Sequence, residues 1–285
     1  MAIILTKYHQ LFHQDRKLSE LDLRTFPDGI TSDIRYMLPF PIYVERAEKA
    51  YKWTVGGKKL IDYWGGHGAL LLGHSYPDIV TAVTEQMHKG SHFSACHSSL
   101  SLWGQKVIQL IPSAELVRFT ASGSEANLLA IQLARQFTGK KSIMCFSGHY
   151  HGWPDALAVG HGANSTGFDT NLMVEKKGKT FTCLSLDLSV IEDFLQKNND
   201  IAAVILEPTG ASSGVVPMTI DFLSRLRALT NYYGVLLIFD EIITGFRVMP
   251  GGAQAYAQVL PDITTLGKIL AGGLPGGAVT GRADI

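Results

Sequence analysis

Five apolar residues in a row, VLLIF at Val235–Phe239, are followed directly by a carboxylate, Asp240. A second apolar run, IAAVIL at Ile201–Leu206, ends in the same way at Glu207. Strands as uniformly apolar as these are typical of a parallel sheet that is covered on both faces. Because the ligands of such sheets bind beyond the carboxyl ends of the strands, Asp240 and Glu207 are candidate site residues.

The same alternation of strands and helices extends upstream to Leu116. Further strands are predicted at LVRFT, SIMCF and TFTCLSL, and helices at SEANLLAIQLARQF, SVIEDFLQKN and TIDFLSRLRALTNYY. The predicted fold class is therefore α/β, with a mainly parallel sheet covered by helices. Within this part of the chain, Val159–Phe168 is predicted to form a flexible loop.

The N-terminal part of the chain has a different pattern. Residues 1–41 are polar and partly helical, and the following IYVERAEKAYKWTVGGKKLIDYWGG contains extended runs with a turn at Gly56 and Gly57. This pattern predicts a small antiparallel strand unit. Helical patterns return at Pro77–Lys89 and Leu100–Leu110. We therefore divide the chain into an N-terminal segment, residues 1–75, and a large domain, residues 76–285.

Composition excludes several function classes. The 285 residues include 25 Lys and Arg and 25 Asp and Glu, so the net charge of +0 offers no electrostatic basis for binding nucleic acid or an anionic membrane. Cys96, Cys145 and Cys183 form no CxxC pair, which argues against a metal finger or a disulfide framework. No apolar stretch is long enough to span a bilayer. We predict a soluble cytoplasmic protein without a bound metal.

A candidate phosphate site follows the predicted strand LVRFT. Ser122, Gly123 and Ser124 lie between that strand and a helix, where backbone N–H groups and two hydroxyls can hold a phosphate. The alternative is a serine N-cap next to a glycine turn. A Walker loop is excluded because no Gly-Lys-Ser/Thr follows.

An aromatic residue, Tyr150, follows the predicted strand SIMCF and lies between His149 and His151. A tyrosine at a strand end can stack on a flat ligand ring, and the alternative is a loop aromatic that fills its own pocket. The two histidines do not predict a metal site, because the sequence offers no third ligand at a suitable spacing.

A lysine and a carboxylate complete the candidate site. Lys268 lies in the apolar, glycine-rich TTLGKILAGG, where it either extends its charge to water or acts as a neutral amine. Asp240 is costly to bury unless it is paired, so it is either a structural cap or a functional carboxylate. One ligand could use all these groups if it had four features: a phosphate, a flat ring, a ring nitrogen that binds a proton, and a carbonyl that condenses with an amine. Pyridoxal 5'-phosphate has all four.

These residues occur in segments that resemble the class III, fold-type I aminotransferases over nearly the whole chain, and among them glutamate-1-semialdehyde 2,1-aminomutases most closely. The matching segments are FPDGITSDIR, AEKAYKWTVGGKKLIDYWGG, LLGHSYPDIVTAV, VRFTASGSEANLLAIQLAR, FSGHYHGW, ILEP, FDEIITGFRV and PDITTLGKILAGGLPGGAVTGR. The resemblance implies the large domain of the fold-type I transferases, with a seven-stranded type of sheet.

The resemblance also implies roles for individual residues. Lys268 would hold the cofactor as a Schiff base, and Asp240 would pair with the pyridine nitrogen. Tyr150 would stack on the ring, while Gly123 and Ser124 would hold the phosphate. Ser122 and Glu207 are also assigned to the cofactor site, and Arg35 is a candidate for binding the substrate carboxylate.

Three features depart from the aminomutase pattern. Ser212, in TGASSGV, stands at the position expected to approach the ring hydroxyl of the cofactor, where an asparagine-containing stretch is usual. His67 stands where a tryptophan near the substrate is usual. Relatives also continue past the position of Ile285 into a C-terminal domain, which we expect to be missing.

The resemblance implies a homodimer with active sites at the subunit interface. Its reaction would convert glutamate-1-semialdehyde to the tetrapyrrole precursor 5-aminolevulinate. One alternative is a class III transaminase that acts on another amino acid, such as a β-amino acid, with a keto-acid acceptor. The other alternative is a non-catalytic fragment.

Overall fold

A computed structural model describes residues 2–153, 173–176, 179–213 and 217–285. The predicted loop Val159–Phe168 lies outside the described residues. The chain divides into two compact units. The first unit contains Met1–Gly66 and Leu72–Ser91, and the second contains His67–Leu71 and His92–Ile285. The helical segment after residue 76 thus groups with the first unit, and our division after residue 75 stays a prediction.

The first unit combines helices with a small antiparallel sheet. The sheet has the order β1-β2-β3, with a bulge in β1, and Gly56 and Gly57 lie in the turn between β2 and β3. This agrees with the predicted strand unit. The elements are α1 (Ala2–Leu11), α2 (His13–Asp22), β1 (Val44–Glu48), β2 (Tyr51–Thr54), β3 (Lys59–Ile61) and α3 (Pro77–Lys89).

The second unit is built on a large mixed sheet. In chain order its elements are α4 (Ser98–Leu110), β4 (Leu116–Thr120), α5 (Gly123–Thr138), β5 (Ser142–Phe146), β6 (Met173–Lys176), β7 (Thr180–Cys183), α6 (Leu188–Lys197), β8 (Ile201–Leu206), α7 (Ile220–Tyr232), β9 (Leu236–Asp240), α8 (Gly252–Ala257), β10 (Ile263–Leu266) and β11 (Gly277–Gly281).

The sheet contains eight strands within the described part of the chain, in the order β4-β11-β10-β9-β8-β5-β7-β6. Strands β10, β9, β8, β5 and β7 are parallel neighbours. Strand β11 is antiparallel to both β10 and β4, so β4 points in the same direction as the parallel strands. The predicted α/β fold with a mainly parallel sheet is confirmed, and β6 extends its edge as an antiparallel strand.

The apolar strands are buried on both faces, as their sequence predicts. Along β9, Leu237 and Phe239 pack in one apolar cluster with residues of α6 and α7, whereas Leu236 and Ile238 pack in a second cluster with residues of α5. Side chains alternate between the two faces of a strand, so each face of β9 has its own core layer. Among the described helices, none has both the length and the apolar character needed to cross a membrane.

Candidate functional site

A cavity of about 180 Å³ lies at the carboxyl ends of the parallel strands of the second unit. All eight residues that the sequence assigned to the cofactor line this cavity: Ser122, Gly123, Ser124, Tyr150, Glu207, Ser212, Asp240 and Lys268. Gly152, Ile242 and Ile243 complete the lining. The fold therefore brings together residues that are up to 146 positions apart in the chain (122 to 268). The role of each residue in binding or catalysis remains a prediction.

The N-terminus of α5 forms one wall of the cavity. Ser122 is the N-cap of this helix, and its Oγ accepts a hydrogen bond from the Glu125 N–H at 3.2 Å. The Glu125 carboxylate in turn accepts from the Ala121 N–H at 2.8 Å. The first turn of a helix leaves backbone N–H groups without partners inside the helix, and these groups favour an anion. The hydroxyl of Ser122 thus acts as a cap, while the helix end is suited to a phosphate.

Gly123 packs closely against Ile242 in the cavity wall. A Cβ atom at this position would lie 2.6 Å from Cδ1 of Ile242, which is closer than carbon atoms can approach. The absence of a side chain at residue 123 thus lets the start of α5 lie directly against Ile242. Backbone N–H groups can reach a ligand here without obstruction by a side chain.

Asp240 is buried, with 3% of its surface exposed, and three groups donate hydrogen bonds to it. Its Oδ2 lies 2.7 Å from Nδ1 of His151 and accepts from Nδ2 of Asn127 at 2.8 Å. Its Oδ1 accepts from the Ile242 N–H at 3.1 Å. Because a carboxylate only accepts, this network places the hydrogen of the His151 contact on Nδ1.

His151 and Asn127 are site residues that the sequence analysis did not assign. Both are buried, and His151 Nε2 and Asn127 Oδ1 have no hydrogen-bond partner within the described ranges. In the sequence, the spacing of His149 and His151 suggested only a metal site, and this was rejected because no third ligand has a suitable spacing. Asn127 lies four residues after Gly123, one helical turn along the face of α5 that meets the sheet, and this spacing was the available signal.

Glu207 connects the two loops that carry Tyr150 and Ser212. Its Oε1 accepts from the Tyr150 N–H at 2.6 Å, and its Oε2 accepts from the Ser212 N–H at 3.0 Å. Its own N–H donates to Nδ1 of His149 at 3.0 Å. Glu207 was predicted to bind the cofactor, and that contact stays a prediction. Its observed contacts instead fix the backbone positions of Tyr150 and Ser212.

Glu241, next to Asp240, is fully buried and holds the loop that carries Ile242. Its carboxylate accepts from the N–H groups of Ala253 and Gln254 at 2.6 and 3.0 Å, from Nε2 of Gln254 at 3.0 Å and from Oγ1 of Thr244 at 2.8 Å. Burial raises the pKa of Glu241, and these donors act in the opposite direction. No sequence pattern indicated this role.

Lys268 begins a short 3-10 turn, Lys268–Ala271, just after β10. Burial lowers the pKa of Lys268, the nearby carboxylates of Asp240 and Glu207 act to raise it, and the Arg247 cation lowers it further. The net shift favours the neutral, nucleophilic amine. Its φ of 47° lies in the left-handed region, which is strained for a residue with a side chain and is typical of functional positions.

The two predicted substrate residues do not line the cavity. Arg35 is exposed in the first unit and donates a hydrogen bond to Oγ1 of Thr31. His67 is exposed in the second unit, with a φ of 56°. Their predicted contacts with a substrate stay predictions.

The buried imidazole of His149 predicts a measurable dependence of stability on pH. Burial lowers its pKa from 6.5 to about 4, with the neighbouring His151 acting in the same direction and Asp240 in the opposite one. Between these two pH values the unfolded chain binds a proton that the folded chain excludes, so stability falls as the pH falls. The expected loss is about 3 kcal/mol between pH 6.5 and pH 4.

Urea denaturation of the cofactor-free protein at a series of pH values measures this loss. His149→Asn keeps an acceptor near the position of Nδ1 for the Glu207 N–H and removes the titration. We expect the variant to lose about 3 kcal/mol less than the wild type over this pH range. If the free energy of unfolding had the same pH dependence in both proteins, the assignment of this loss to His149 would be wrong.

The comparisons with known proteins agree with this geometry. A model of the family "Aminotransferase class-III" matches residues 34–285. The chain belongs to the class-III aminotransferases. Among sequence relatives, a glutamate-1-semialdehyde 2,1-aminomutase from Sulfurisphaera tokodaii is 42% identical over 272 residues, which cover 92% of this chain and 64% of that protein.

Solved structures of two transaminases are also similar to this chain. A β-phenylalanine aminotransferase from Variovorax paradoxus has a TM-score of 0.90 and 31% identity, covering 99% of this chain and 64% of that one. An ω-transaminase from Sphaerobacter thermophilus has a TM-score of 0.87 and 32% identity, covering 95% and 64%. The chain therefore spans slightly less than two thirds of the length of each of these three proteins.

Proposed function

We propose that this chain is the cofactor-binding part of an enzyme that transfers amino groups with pyridoxal 5'-phosphate. The observation that carries the proposal is that Lys268 and Asp240 line one cavity. They lie at the carboxyl ends of the neighbouring parallel strands β10 and β9. A phosphate-binding helix end, α5, lines the same cavity.

The residues of the cavity fit this cofactor. The α5 N-terminus offers N–H donors and the Ser124 hydroxyl to a phosphate, and Gly123 leaves room for the approach. Tyr150 supplies a ring at the cavity wall, and Asp240 supplies a carboxylate. When bound, pyridoxal phosphate supplies a protonated ring that accepts the electrons of a substrate carbanion. In this proposal Ser122 contributes as the helix cap, and Ser212 lies near the ring hydroxyl.

Asp240 holds a proton on the ring nitrogen of the cofactor. His151 and Asn127 contact one of its oxygens, and their hydrogen bonds hold the carboxylate in a fixed orientation. Glu207 positions the backbone of Tyr150, so that the aromatic ring lies against the cofactor.

Lys268 has two tasks. Its Nζ amine would hold the cofactor through the cofactor aldehyde. Once a substrate amine had replaced it there, the lysine would be free to move a proton at the substrate carbon. The lowered pKa of Lys268 suits both tasks, because the unprotonated amine is the nucleophile and the base.

We propose glutamate-1-semialdehyde as the substrate and 5-aminolevulinate as the product of the whole protein, since the relatives carry that name. A transaminase that uses a keto-acid acceptor is the second candidate, which the similarity to the β-phenylalanine aminotransferase favours. Turnover without an added amino acceptor supports the aminomutase, whereas a strict requirement for an acceptor supports the transaminase. We further propose that the whole protein is a cytoplasmic homodimer, and gel filtration tests the dimer. Arg35 and His67 are proposed to lie near the substrate, and the kinetics of Arg35→Ala test the contact of Arg35.

Covalent attachment tests the cofactor assignment directly. Borohydride reduction of protein loaded with pyridoxal phosphate is expected to fix the cofactor to Lys268, because the hydride converts the C=N bond to a stable amine. Peptide mass spectrometry locates the label. Lys140 and Lys141, which lie beyond the end of α5, serve as internal controls. Label on these lysines in place of Lys268 would disprove the assignment.

A further inference from the structure

Arg247 lies next to the stem of Lys268 in the second unit. A Cβ atom built on Gly68 would lie 3.6 Å from Nη2 of Arg247 and 3.9 Å from Cδ of Lys268, so both side chains border the same point. Nη2 of Arg247 donates a hydrogen bond to the Gly68 carbonyl, which holds the guanidinium against the segment His67–Leu71. The side chain is exposed, so a ligand can reach it.

The charges around the cavity explain why a cation beside Lys268 matters. The described lining contains two carboxylates, Asp240 and Glu207, and one ionisable amine, Lys268. That amine is committed to the cofactor in the proposed function, and burial favours its neutral form. An anionic substrate would therefore meet net negative charge unless another group offsets it. Arg247 is next to Lys268, and its guanidinium is a cation.

We propose that Arg247 binds the carboxylate of the amino-acid substrate beside Lys268. This inference rests on the proposed function and adds to it a second cation, besides the proposed Arg35, that favours an acidic substrate. A guanidinium suits the task because its forked N–H groups bind both oxygens of a carboxylate. The hydrogen bond to Gly68 fixes the guanidinium before the substrate arrives, which reduces the cost of ordering it.

Two amines that differ by a carboxylate test the inference by binding alone. Protein loaded with pyridoxal phosphate is titrated with 4-aminobutanoate and with butylamine, and the cofactor absorbance gives a Kd for each. Arg247→Gln is expected to raise the Kd of 4-aminobutanoate about 10- to 100-fold, the range for hydrogen bonds to charged groups. If the substitution alters the basicity of Lys268, the Kd values of both amines change by the same factor. The ratio of the two Kd values therefore isolates the carboxylate contact.

Arg247→Lys keeps the charge but loses the fork, so we expect an intermediate loss that is again confined to 4-aminobutanoate. If Arg247→Gln no longer binds the cofactor, the Kd values of Arg247→Lys provide the test instead. Arg225→Gln is the matched control, because Arg225 is exposed on α7 and pairs with Asp221. Equal losses for both amines, or no loss, in the Arg247 variants would overturn the inference. If neither amine changes the absorbance of wild-type protein, the proposed function fails and this inference fails with it.

Discussion

Replacing Lys268 with alanine is expected to reduce turnover by about 100- to 10,000-fold, the range for loss of a positioned general acid–base group. The variant loses the amine that moves the proton, while Asp240 and the α5 N-terminus remain to bind the cofactor. Alanine, like lysine, has a Cβ atom, so the substitution does not change the backbone strain of the positive φ at residue 268. We therefore expect the turn to be preserved. Steady-state kinetics and the yield of borohydride-fixed cofactor measure the two tasks of the lysine separately.

Added methylamine is expected to restore part of the turnover of Lys268→Ala, because a small amine can enter the space that the side chain leaves. Lys197→Ala, at the exposed end of α6, provides a matched control that should retain wild-type turnover. If Lys268→Ala kept more than a tenth of the wild-type rate, the lysine would not be the base.

Asp240→Asn is expected to reduce kcat by about 100-fold or more, equivalent to about 3 kcal/mol of lost carbanion stabilisation. Asparagine keeps the shape of the side chain but has no charge to hold a proton on the cofactor ring. One of its two groups must be an NH2, which would face a donor: either His151 and Asn127 or the Ile242 N–H. Both the ring proton and the local network are therefore weakened.

The spectrum of the bound cofactor, recorded as a function of pH, distinguishes these effects from general unfolding. A lost ring proton changes the spectrum and its pH profile, whereas a merely destabilised fold changes the melting temperature. Asp221→Asn on α7 is the control, because Asp221 is exposed and pairs only with Arg225 among its described ion pairs. Normal turnover in Asp240→Asn would show that Asp240 is a structural cap.

The sequence predicted the part of the site that follows from strand order. Apolar strands such as IAAVIL and VLLIF are recognisable, and the residue after each strand must lie at the carboxyl edge of a parallel sheet. Glu207, Asp240 and Tyr150 were found by this rule, and the structure places all three around one cavity.

Contacts between residues distant in the chain could not be predicted in this way. His151 meets Asp240 across 89 positions, and Asn127 meets it across 113 positions. No local pattern encodes such pairs, because they depend on how helix α5 packs against the sheet. The bonds from Glu207 to the backbone of Tyr150 and Ser212 were missed for a related reason, since any residue type supplies the same N–H.

Strand direction was also beyond the sequence pattern. GGAVTGR gave no sign that β11 runs antiparallel between β10 and β4. Because β4 is also antiparallel to β11, it ends at the same edge as β9 and β10, with Ser122 beside the cavity. The direction of a strand is set by its connections and its neighbours, which periodicity does not report.

The position of β11 determines when β4 can join the sheet. Within the described sheet, β4 is bonded only to β11, although the chain passes through β4 some 157 residues earlier (120 to 277). During synthesis, β4 can therefore take its place at the edge of this sheet only after residues 277–281 have left the ribosome.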